Sequence, residues 1–276
     1  MLGEVASYLA CLEPRSWPAG LAGVAAALLA GRARPGALAR LALPGGLSIR
    51  FPASILRDVL RNVAHVYYYR DYEALAGFAP EPGWTVLDVG AFIGVYALRA
   101  ASLVGPSGLV VAVEPLPSSY RLLELNVRAN GLGNVRLVGA AVSDGWGSAE
   151  LLVPGSPLNA TLDPGYASAW GGAVGAVRVR TLPLDALIGP LGRVDLVKID
   201  VEGLELRVVE GSALLRPGVV RRAVVEVHPP RVEARRVALA LEGRGYEVSV
   251  LLPEEAPGQA FVYALERRPA AGPRGP

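Results

Sequence analysis

The chain has 276 residues, of which 52% are hydrophobic and 19% are charged. This composition excludes a globally disordered protein, and the length allows one large domain or one domain with a modest appendage. Lys and Arg number 27 and Asp and Glu number 25, a net charge of +2 that does not favour a nucleic-acid or anionic-membrane binder. The single cysteine, Cys11, excludes an internal disulfide framework, and two histidines, His65 and His228, disfavour a histidine-rich metal centre.

The basic residues are almost all of one type. Lys198 is the only lysine, and the other 26 basic residues are arginine. A GC-rich genome explains the abundance of Ala, Gly, Pro and Arg, and the scarcity of thermolabile side chains also fits a thermophile. Either cause acts on every basic position alike, so the retained lysine indicates a site that needs a compact ammonium group.

Residues 1–80 are predicted to form an N-terminal helical extension with a short strand pair near LALPGGLSIRF. Within it, residues 16–31 carry no charge, but these 16 residues fall short of the about 20 needed to span a bilayer. We therefore expect a buried or capping helix and no stable membrane span. The first residues include Glu4 and no early basic cluster, unlike a signal peptide, so we expect a cytoplasmic protein.

Beyond residue 80, short apolar runs alternate with amphipathic stretches. The runs predict strands, and the stretches predict helices; the strands are expected at 85–90, 109–114, 135–142, 194–200, 223–228, 246–252 and 260–265, and the helices at 95–103, 118–130, 204–215 and 231–242. Buried parallel strands have continuous apolar sequences, so this alternation indicates an α/β doubly wound sheet. A Gly- and Pro-rich segment, 144–180, is expected to be a loop-rich insert. The last two strands are joined by a short loop and must pair antiparallel, which predicts the seven-stranded Rossmann-like sheet of class I methyltransferases.

A glycine-containing loop follows the first predicted strand, near the edge where open α/β sheets bind ligands. It reads DVGAFIG, from Asp88 to Gly94. Gly90 permits a tight turn and the close approach of a ligand, and Gly94 lets the next helix pack near the sheet. Phe92 replaces the second glycine of the dinucleotide fingerprint G-x-G-x-x-G, which leaves less room for a pyrophosphate and disfavours a nicotinamide oxidoreductase. A ligand without phosphate, such as S-adenosylmethionine, fits better.

Acidic residues follow the second and third predicted strands. Glu114 comes 24 positions after Gly90, where a carboxylate can accept hydrogen bonds from both hydroxyls of a ribose. A solvated carboxylate at a strand end is the alternative. Asp144 is placed to accept a hydrogen bond from the adenine amino group, although a helix-cap or turn role is equally compatible with its position before Gly145.

Five ionisable residues are expected to converge at the ends of the fourth and fifth strands. Side chains two apart in a strand point the same way, which groups Lys198, Asp200 and Glu202 on one strand and Glu226 and His228 on the next. Because buried charges are unfavourable unless paired, the cluster either stabilises the sheet edge through ion pairs or deprotonates a substrate hydroxyl. The second interpretation is favoured because the cluster lies beside the predicted cofactor loop.

Two groups could remove that proton. His228 is the favoured base, because the ordinary pKa of histidine, about 6.5, lies near neutrality. A magnesium ion held by Asp200, Glu202 and Glu226 is the less favoured alternative, so no metal ligand is assigned.

Taken together, these motifs resemble the FkbM-type S-adenosylmethionine-dependent methyltransferases. The resemblance covers roughly residues 65–265 and rests on VLDVGAFIG, EPLPSSYRLLELNVRANG, AAVSD with TLPLDAL, DLVKIDVEGLELRVVEG and VVEVH. It implies O-methylation of hydroxyls on sugars, polyketides or other secondary metabolites. It also implies that Gly90, Glu114, Asp144 and Asp200 lie at or near the cofactor. The family usually has asparagine at the position of Phe92, which is the main departure.

The site residues follow from the motifs and the resemblance. The predicted cofactor-binding residues are Asp88, Gly90, Ala91, Gly94, Glu114, Pro115, Asp144 and Asp200. The predicted catalytic residues are His228, Glu226, Lys198 and Glu202. The domain layout is expected to be 1–80 as an extension and candidate acceptor-binding cap, 81–268 as the S-adenosylmethionine-binding methyltransferase domain, and 269–276 as a flexible tail.

We therefore expect a methyltransferase that modifies a hydroxyl of a sugar, glycolipid or secondary metabolite, with a small-molecule or glycan acceptor as its partner. An RNA-modifying methyltransferase is an alternative, but nitrogen methylation usually comes with an Asn/Asp-Pro-Pro-aromatic loop after the fourth strand, and this chain has IDVEG there. A non-catalytic module that only binds the cofactor is the other alternative. Aromatic residues of 1–80 and 144–180 are expected either to recognise the acceptor or to pack in the core; they are Trp17, Tyr67, Tyr68, Tyr69, Tyr72, Tyr166 and Trp170.

Overall fold

The structure, a computed structural model, describes residues 1–34, 36–228, 232–253 and 259–267. The strands are β1 (Leu38–Ala42), β2 (Ser48–Pro52), β3 (Thr85–Val89), β4 (Leu109–Val113), β5 (Val135–Val138), β6 (Ala141–Ser143), β7 (Gly147–Val153), β8 (Gly175–Pro183), β9 (Leu196–Ile199), β10 (Arg222–Val227), β11 (Tyr246–Leu251) and β12 (Ala260–Glu266). The α-helices are α1 (Leu2–Ala10), α2 (Trp17–Ala33), α3 (Leu56–Val63), α4 (Val95–Val104), α5 (Pro117–Ala129), α6 (Pro164–Ala169), α7 (Asp185–Ile188), α8 (Glu205–Gly211) and α9 (Ala234–Glu242). The predicted tail, 269–276, lies outside the described residues.

A seven-stranded sheet forms the centre of the molecule, in the order β11-β12-β10-β9-β3-β4-β5. The pairs β10–β9, β9–β3, β3–β4 and β4–β5 are parallel, and β12 is antiparallel to both of its neighbours. This order confirms the predicted Rossmann-like sheet with its final antiparallel pair. The chain passes from β3 to β4 on one side and returns to β9 on the other, so the topological switch point lies at the carboxyl ends of β3 and β9. Ligands bind at such a point.

The third predicted strand and the insert differ from expectation. Residues 135–142 form two strands, because β5 ends at Val138 and β6 leaves the large sheet to pair with β8. The insert is not loop-rich: β7 and β8 form an antiparallel pair, and with β6 they make a three-stranded sheet. Alternating sequence such as Val177-Arg178-Val179-Arg180 is typical of a half-buried strand, but the Gly and Pro content of 144–180 concealed it.

The two faces of the large sheet are covered by different parts of the chain. One hydrophobic cluster joins residues of the N-terminal extension, such as Tyr8 and Leu60, to α4 and to Val86 of β3. The other cluster packs the opposite face against α8 and α9 through residues such as Val208 and Val237. The extension therefore shares its core with the sheet on one face.

The uncharged stretch of the extension forms most of α2. Gly20, Val24 and Ala27 are buried on one face, whereas Leu21 and Leu29 on the other are exposed, so the helix covers its neighbours without being enclosed. The predicted strand pair is confirmed as the antiparallel pair β1–β2. Among the described residues, no helix combines the length and apolar character that crossing a membrane requires.

Candidate active site

The glycine loop leaves β3 directly beside the end of β9. Gly90 has a φ of +82°, and a Cβ atom there would lie 1.8 Å from the carbonyl oxygen of Asp200. Only glycine fits this position, because both the backbone angle and the space exclude a side chain. Gly94 has a φ of +100° and precedes α4, and its closest neighbour is the Leu123 side chain. A side chain at this position would therefore collide with Leu123 of α5, and not with the sheet as predicted.

Glu114 lies at the end of β4 and binds the glycine loop. Its Oε2 accepts a hydrogen bond from the backbone N–H of Phe92 at 2.8 Å, and its Oε1 accepts one from Leu116 at 2.9 Å. Burial raises the pKa of Glu114 to about 8. Phe92 itself is buried with a φ of +51°, which is uncommon for a residue other than glycine. The replacement of asparagine by Phe92 therefore removes a polar side chain while the backbone N–H still binds the carboxylate.

Lys198 is buried beneath the glycine loop. Its Nζ donates hydrogen bonds to Asp88 Oδ1 at 3.0 Å and to the carbonyl oxygen of Gly90 at 2.9 Å. Although burial alone would lower it, the carboxylates of Asp88 and Asp200 raise the pKa of Lys198. The raised pKa favours the charged ammonium, whose hydrogen bonds fix the loop to the sheet. A catalytic role of Lys198 stays a prediction.

A cleft opens between the glycine loop and the insert, and we call it the glycine-loop cleft. Of the predicted cofactor residues, those that line it are Gly90, Ala91, Glu114, Pro115 and Asp200. Its apolar walls include Ala141, Val142 and Leu151.

Three of the predicted cofactor residues do not line this cleft. Asp88 and Gly94 are the first and last residues of the loop, and they stabilise it without lining the cleft. Asp144 is about half exposed, and its carboxylate accepts a hydrogen bond from Arg207 at 2.7 Å. The contact of Asp144 with adenine stays a prediction. It requires the carboxylate to leave its ion pair with Arg207, which is exposed and contributes less than about 1 kcal/mol.

The predicted cluster of ionisable groups does form at the ends of β9 and β10. We define the His–carboxylate cluster as Asp200, Glu202, Glu205, Glu226 and His228. Glu202 does not join it through strand alternation, because β9 ends at Ile199 and Glu202 follows in a left-handed turn with a φ of +52°. Non-glycine residues in that conformation are strained and concentrate at functional sites.

The imidazole of His228 is buried among four carboxylates. Its Nδ1 lies 2.7 Å from Glu205 Oε1, and its Nε2 lies 3.5 Å from Glu202 Oε2. Burial opposes protonation, but Glu202, Glu205 and Glu226 raise the pKa of His228 well above 6.5. These surroundings favour the protonated form of the ring over the neutral form that a base requires. Catalysis by His228 stays a prediction.

Two residues have contacts in the site that were not predicted, although Tyr72 was one of the aromatic candidates for acceptor recognition. Glu205 is fully buried and orients His228; it falls within the quoted motif DLVKIDVEGLELRVVEG but was assigned no role. Tyr72 comes from the N-terminal extension, and its hydroxyl donates a hydrogen bond to Glu226 at 2.5 Å and lies 3.3 Å from Asp200 Oδ2. The sequence offers a weak signal for Tyr72, since it is one of several tyrosines between residues 67 and 72.

A second cavity of about 760 Å³, which we call the large cavity, adjoins the cluster. Its walls come from the N-terminal extension, the insert and the ends of β9 and β10. Four of the seven aromatic candidates line it, namely Tyr69, Tyr72, Tyr166 and Trp170, whereas Trp17, Tyr67 and Tyr68 do not. The glycine-loop cleft and the large cavity share Tyr72, Asp200 and Glu202, so they meet at the cluster.

Comparison with known proteins gives a consistent result. The Methyltransferase FkbM domain matches residues 88–248. The chain is 29% identical over 212 residues to the methyltransferase sdnD of Sordaria araneosa, which covers 66% of this chain and 81% of that protein. It is 32% identical over 213 residues to the AMB antimetabolite synthetase AmbE of Pseudomonas aeruginosa, covering 63% of this chain and 10% of the synthetase. The crystal structure of the methyltransferase FkbM from Methylobacillus flagellatus KT has the same fold, with a TM-score of 0.50 and 15% identity over 77% of this chain and 54% of that chain.

The sheet order, the glycine loop and the acid on the neighbouring strand define a class I methyltransferase that depends on S-adenosylmethionine. The chain belongs to the FkbM methyltransferase family.

Proposed function

We propose that this enzyme methylates a hydroxyl group of a small molecule bound in the large cavity. The observation that carries the proposal is that the two cavities adjoin: Tyr72, Asp200 and Glu202 line both the glycine-loop cleft and the large cavity. A methyl donor in the cleft and an acceptor in the cavity would therefore meet beside the His–carboxylate cluster. Alignment of two reactants in this way supplies a large share of the rate enhancement.

The residues of the glycine-loop cleft fit S-adenosylmethionine. The Glu114 carboxylate has lone pairs beyond those bound by Phe92 and Leu116, and these can accept hydrogen bonds from ribose hydroxyls. The apolar walls at Ala141 and Val142 suit the faces of an adenine ring. When bound, the cofactor supplies a methyl group on a sulfonium, which is already electrophilic, so the protein has to orient it and accept a proton.

The large cavity fits a polar acceptor that has both a flat face and hydroxyl groups. Tyr69, Tyr166 and Trp170 offer aromatic surfaces for stacking against a ring. Carboxylates such as Asp58 and Glu226 offer acceptors for O–H donors. A sugar, or a natural product that bears hydroxyl groups, has this combination.

Methyl transfer to oxygen fits the chemistry of the junction better than transfer to a nucleic-acid nitrogen. An alcohol has to lose its proton, and the carboxylates of the cluster lie where that proton would leave. The same carboxylates, with Asp58 along the large cavity, would repel a phosphate backbone. The charge of the cavity therefore favours a small hydroxylated acceptor over RNA.

Calorimetry with S-adenosylmethionine and the full chain tests the first half of the proposal. Gly90→Ala should abolish binding, because its Cβ would collide with the Asp200 carbonyl and displace the loop. Gly133→Ala is the matched control, since a Cβ there meets nothing within 4 Å. Failure of the wild-type chain to bind at millimolar ligand would contradict the proposal.

The second half is tested with isotope-labelled methyl donor and a panel of glycosides, polyols and hydroxylated natural products. We expect the label in a methyl ether, identified by nuclear magnetic resonance, only when Gly90 is intact. A label on nitrogen or carbon would contradict O-methylation. Binding of the cofactor without transfer to any panel member would favour the non-catalytic module instead.

A further inference from the structure

Within the His–carboxylate cluster, three residues have the composition and spacing of a metal site. Asp200, Glu226 and His228 each offer one ligand atom, and these atoms all lie within 4.8 Å of one another. His228 Nε2 is 3.8 Å from Asp200 Oδ1 and 3.7 Å from Glu226 Oε1. Atoms bound to one ion at about 2.1 Å lie about 3.0–3.5 Å apart, so the two distances from His228 would have to shorten by a few tenths of an ångström for this set to surround an ion.

The surroundings hold the ligand atoms in place. Glu205 binds Nδ1 of His228, which leaves Nε2 directed at the other two residues. A carboxylate on the far nitrogen of a histidine ligand is the usual way in which proteins orient such a ligand. Glu226 is likewise held, by the Tyr72 hydroxyl on Oε2 and the Gln259 amide on Oε1. His228 and Glu226 thus each have a partner that fixes the direction of the side chain.

One ligand atom and the local charge point to a missing cation. Asp200 Oδ1 is buried and has no hydrogen-bond partner among the residues that the structure describes. Four carboxylates lie within 3.8 Å of the His228 ring nitrogens. The nearby ammonium of Lys198 donates hydrogen bonds to Asp88 and Gly90 and lies 3.4 Å from Asp200 Oδ2, so it offsets part of the negative charge. A buried excess of negative charge is unfavourable, and a bound dication would balance it.

We propose that Asp200, Glu226 and His228 bind one divalent transition-metal ion. One imidazole nitrogen with two carboxylate oxygens suits ions such as Mn²⁺ or Fe²⁺ better than Mg²⁺ or Ca²⁺, which prefer oxygen ligands throughout.

The catalytic role of this ion rests on the proposed function. An ion held by these residues would lie where the two cavities adjoin, and it would make a bound acceptor hydroxyl more acidic. The hydroxyl proton would pass to Glu202 as the acceptor oxygen formed its bond to the methyl carbon. The carbon–sulfur bond would break, and the sulfur would keep the electron pair.

The probe is Mn²⁺, added to full-length protein that has been treated with a chelator. Loss of the free-ion electron paramagnetic resonance signal should show one site per chain. Pulsed measurements on the bound ion should show coupling to one histidine nitrogen. Binding of one equivalent should also raise the melting temperature of the wild-type chain, since the ion relieves repulsion among the carboxylates. All three measurements are made on the wild-type chain, so they do not depend on whether a variant folds.

Variants then locate the site. Asp200→Asn and His228→Gln should each weaken Mn²⁺ binding at least tenfold, and His228→Gln should remove the nitrogen coupling. Glu205→Gln should weaken binding by about 10–100-fold, the usual effect of losing a group that orients a ligand. Asp58→Asn is the control: it lines the same cavity, but its carboxylate binds Ser156, so Mn²⁺ affinity should not change.

Several outcomes would overturn the inference: no saturable Mn²⁺ binding by the wild type, bound Mn²⁺ without nitrogen coupling, or equal affinity in wild type and both ligand variants. Calorimetry with S-adenosylmethionine on the same sample separates the two proposals. Cofactor binding and methyl transfer in the presence of chelator would refute the metal site and leave the proposed function intact. Mn²⁺ binding without cofactor binding would refute the proposed function and leave the site.

Discussion

Lys198 is the only lysine of the chain, and its ammonium lies in a closely filled space. Nζ is 5.0 Å from the centre of the Tyr72 ring and 5.9 Å from that of Tyr96. It donates one hydrogen bond to Asp88 and one to the Gly90 carbonyl. A guanidinium is planar and larger, so it cannot make both bonds between the two rings. This geometry accounts for a lysine where the rest of the chain has arginine.

Lys198→Arg should lower the melting temperature and weaken cofactor binding, although the charge is kept. Lys198→Met should have a larger effect, about 3–5 kcal/mol of unfolding free energy, because it leaves Asp88 buried without a counter-charge. Denaturant titration and calorimetry measure these effects. Arg128→Lys on the exposed face of α5 is the control and should change stability by less than about 0.5 kcal/mol. If Lys198→Arg behaves like this control, codon usage alone explains the single lysine.

The position of a site residue could be predicted from the sequence where that residue lies on a strand or directly at its end. Lys198 and Asp200 are two apart at the end of β9, and Asp200 Oδ2 lies 3.4 Å from Nζ, as alternation predicts. Glu202 reaches the cluster through a left-handed turn, which a single sequence does not specify. Tyr72 arrives from a segment 128 positions away from Asp200, and no local pattern encodes such a contact.

Among the elements, β2 depends on α5 through one buried amide. Asn126 Oδ1 accepts a hydrogen bond from the Arg50 N–H at 2.8 Å, and Nδ2 donates to the carbonyls of Arg50 and Ile93. Asn130 makes similar bonds to Ser48. The side chains of the two asparagines thus satisfy backbone N–H and C=O groups along one edge of β2. They join the N-terminal extension to the helix that follows β4.

Asn126→Ala should destabilise the protein by about 1–3 kcal/mol, because it leaves buried backbone groups of β2 and of the glycine loop without partners. Hydrogen exchange should be faster at the Arg50 amide than in the wild type. Glu124→Ala, on the exposed side of the same helix, should have little effect on either measurement. Unchanged exchange in Asn126→Ala would show that the extension is held by its apolar contacts alone.

The elements differed in how far they could be predicted. Strands β3, β4, β9 and β10 are almost completely buried, so continuous apolar runs mark them clearly. The insert strand β7 is largely exposed or half-buried, and its sequence has no such run. The departure of β6 from the large sheet depends on pairing with β8, more than 30 residues later. Pairing over that distance is a tertiary effect that local sequence does not report.

For the molecule as a whole, a net charge of +2 conceals a concentration of buried carboxyl groups at the switch point. Glu114 lies at its edge, and burial raises its pKa from 4.5 to about 8. Lys198 nearby favours the ionised form, whereas Asp88 opposes it. The folded protein therefore retains a proton on Glu114 that the unfolded chain releases between these two pH values.

This linkage predicts that the free energy of unfolding decreases as the pH rises from about 4.5 to about 8. The sign follows because the folded state binds more protons than the unfolded state over that interval. Denaturant titrations at a series of pH values measure the slope, and Glu114→Gln should make it shallower, since an amide does not titrate. Parallel stability profiles for the two proteins would contradict the prediction.

The burial of Lys198 has a practical consequence for following the opening of this fold. A lysine-specific protease has a single site in the chain, and that site lies within β9, between β3 and β10. The central strand must separate from both neighbours before the protease can reach it. Cleavage would therefore yield two fragments only from molecules whose sheet has come apart. When opening and closing are fast relative to cleavage, the rate of that one cut reports the population of the open state directly.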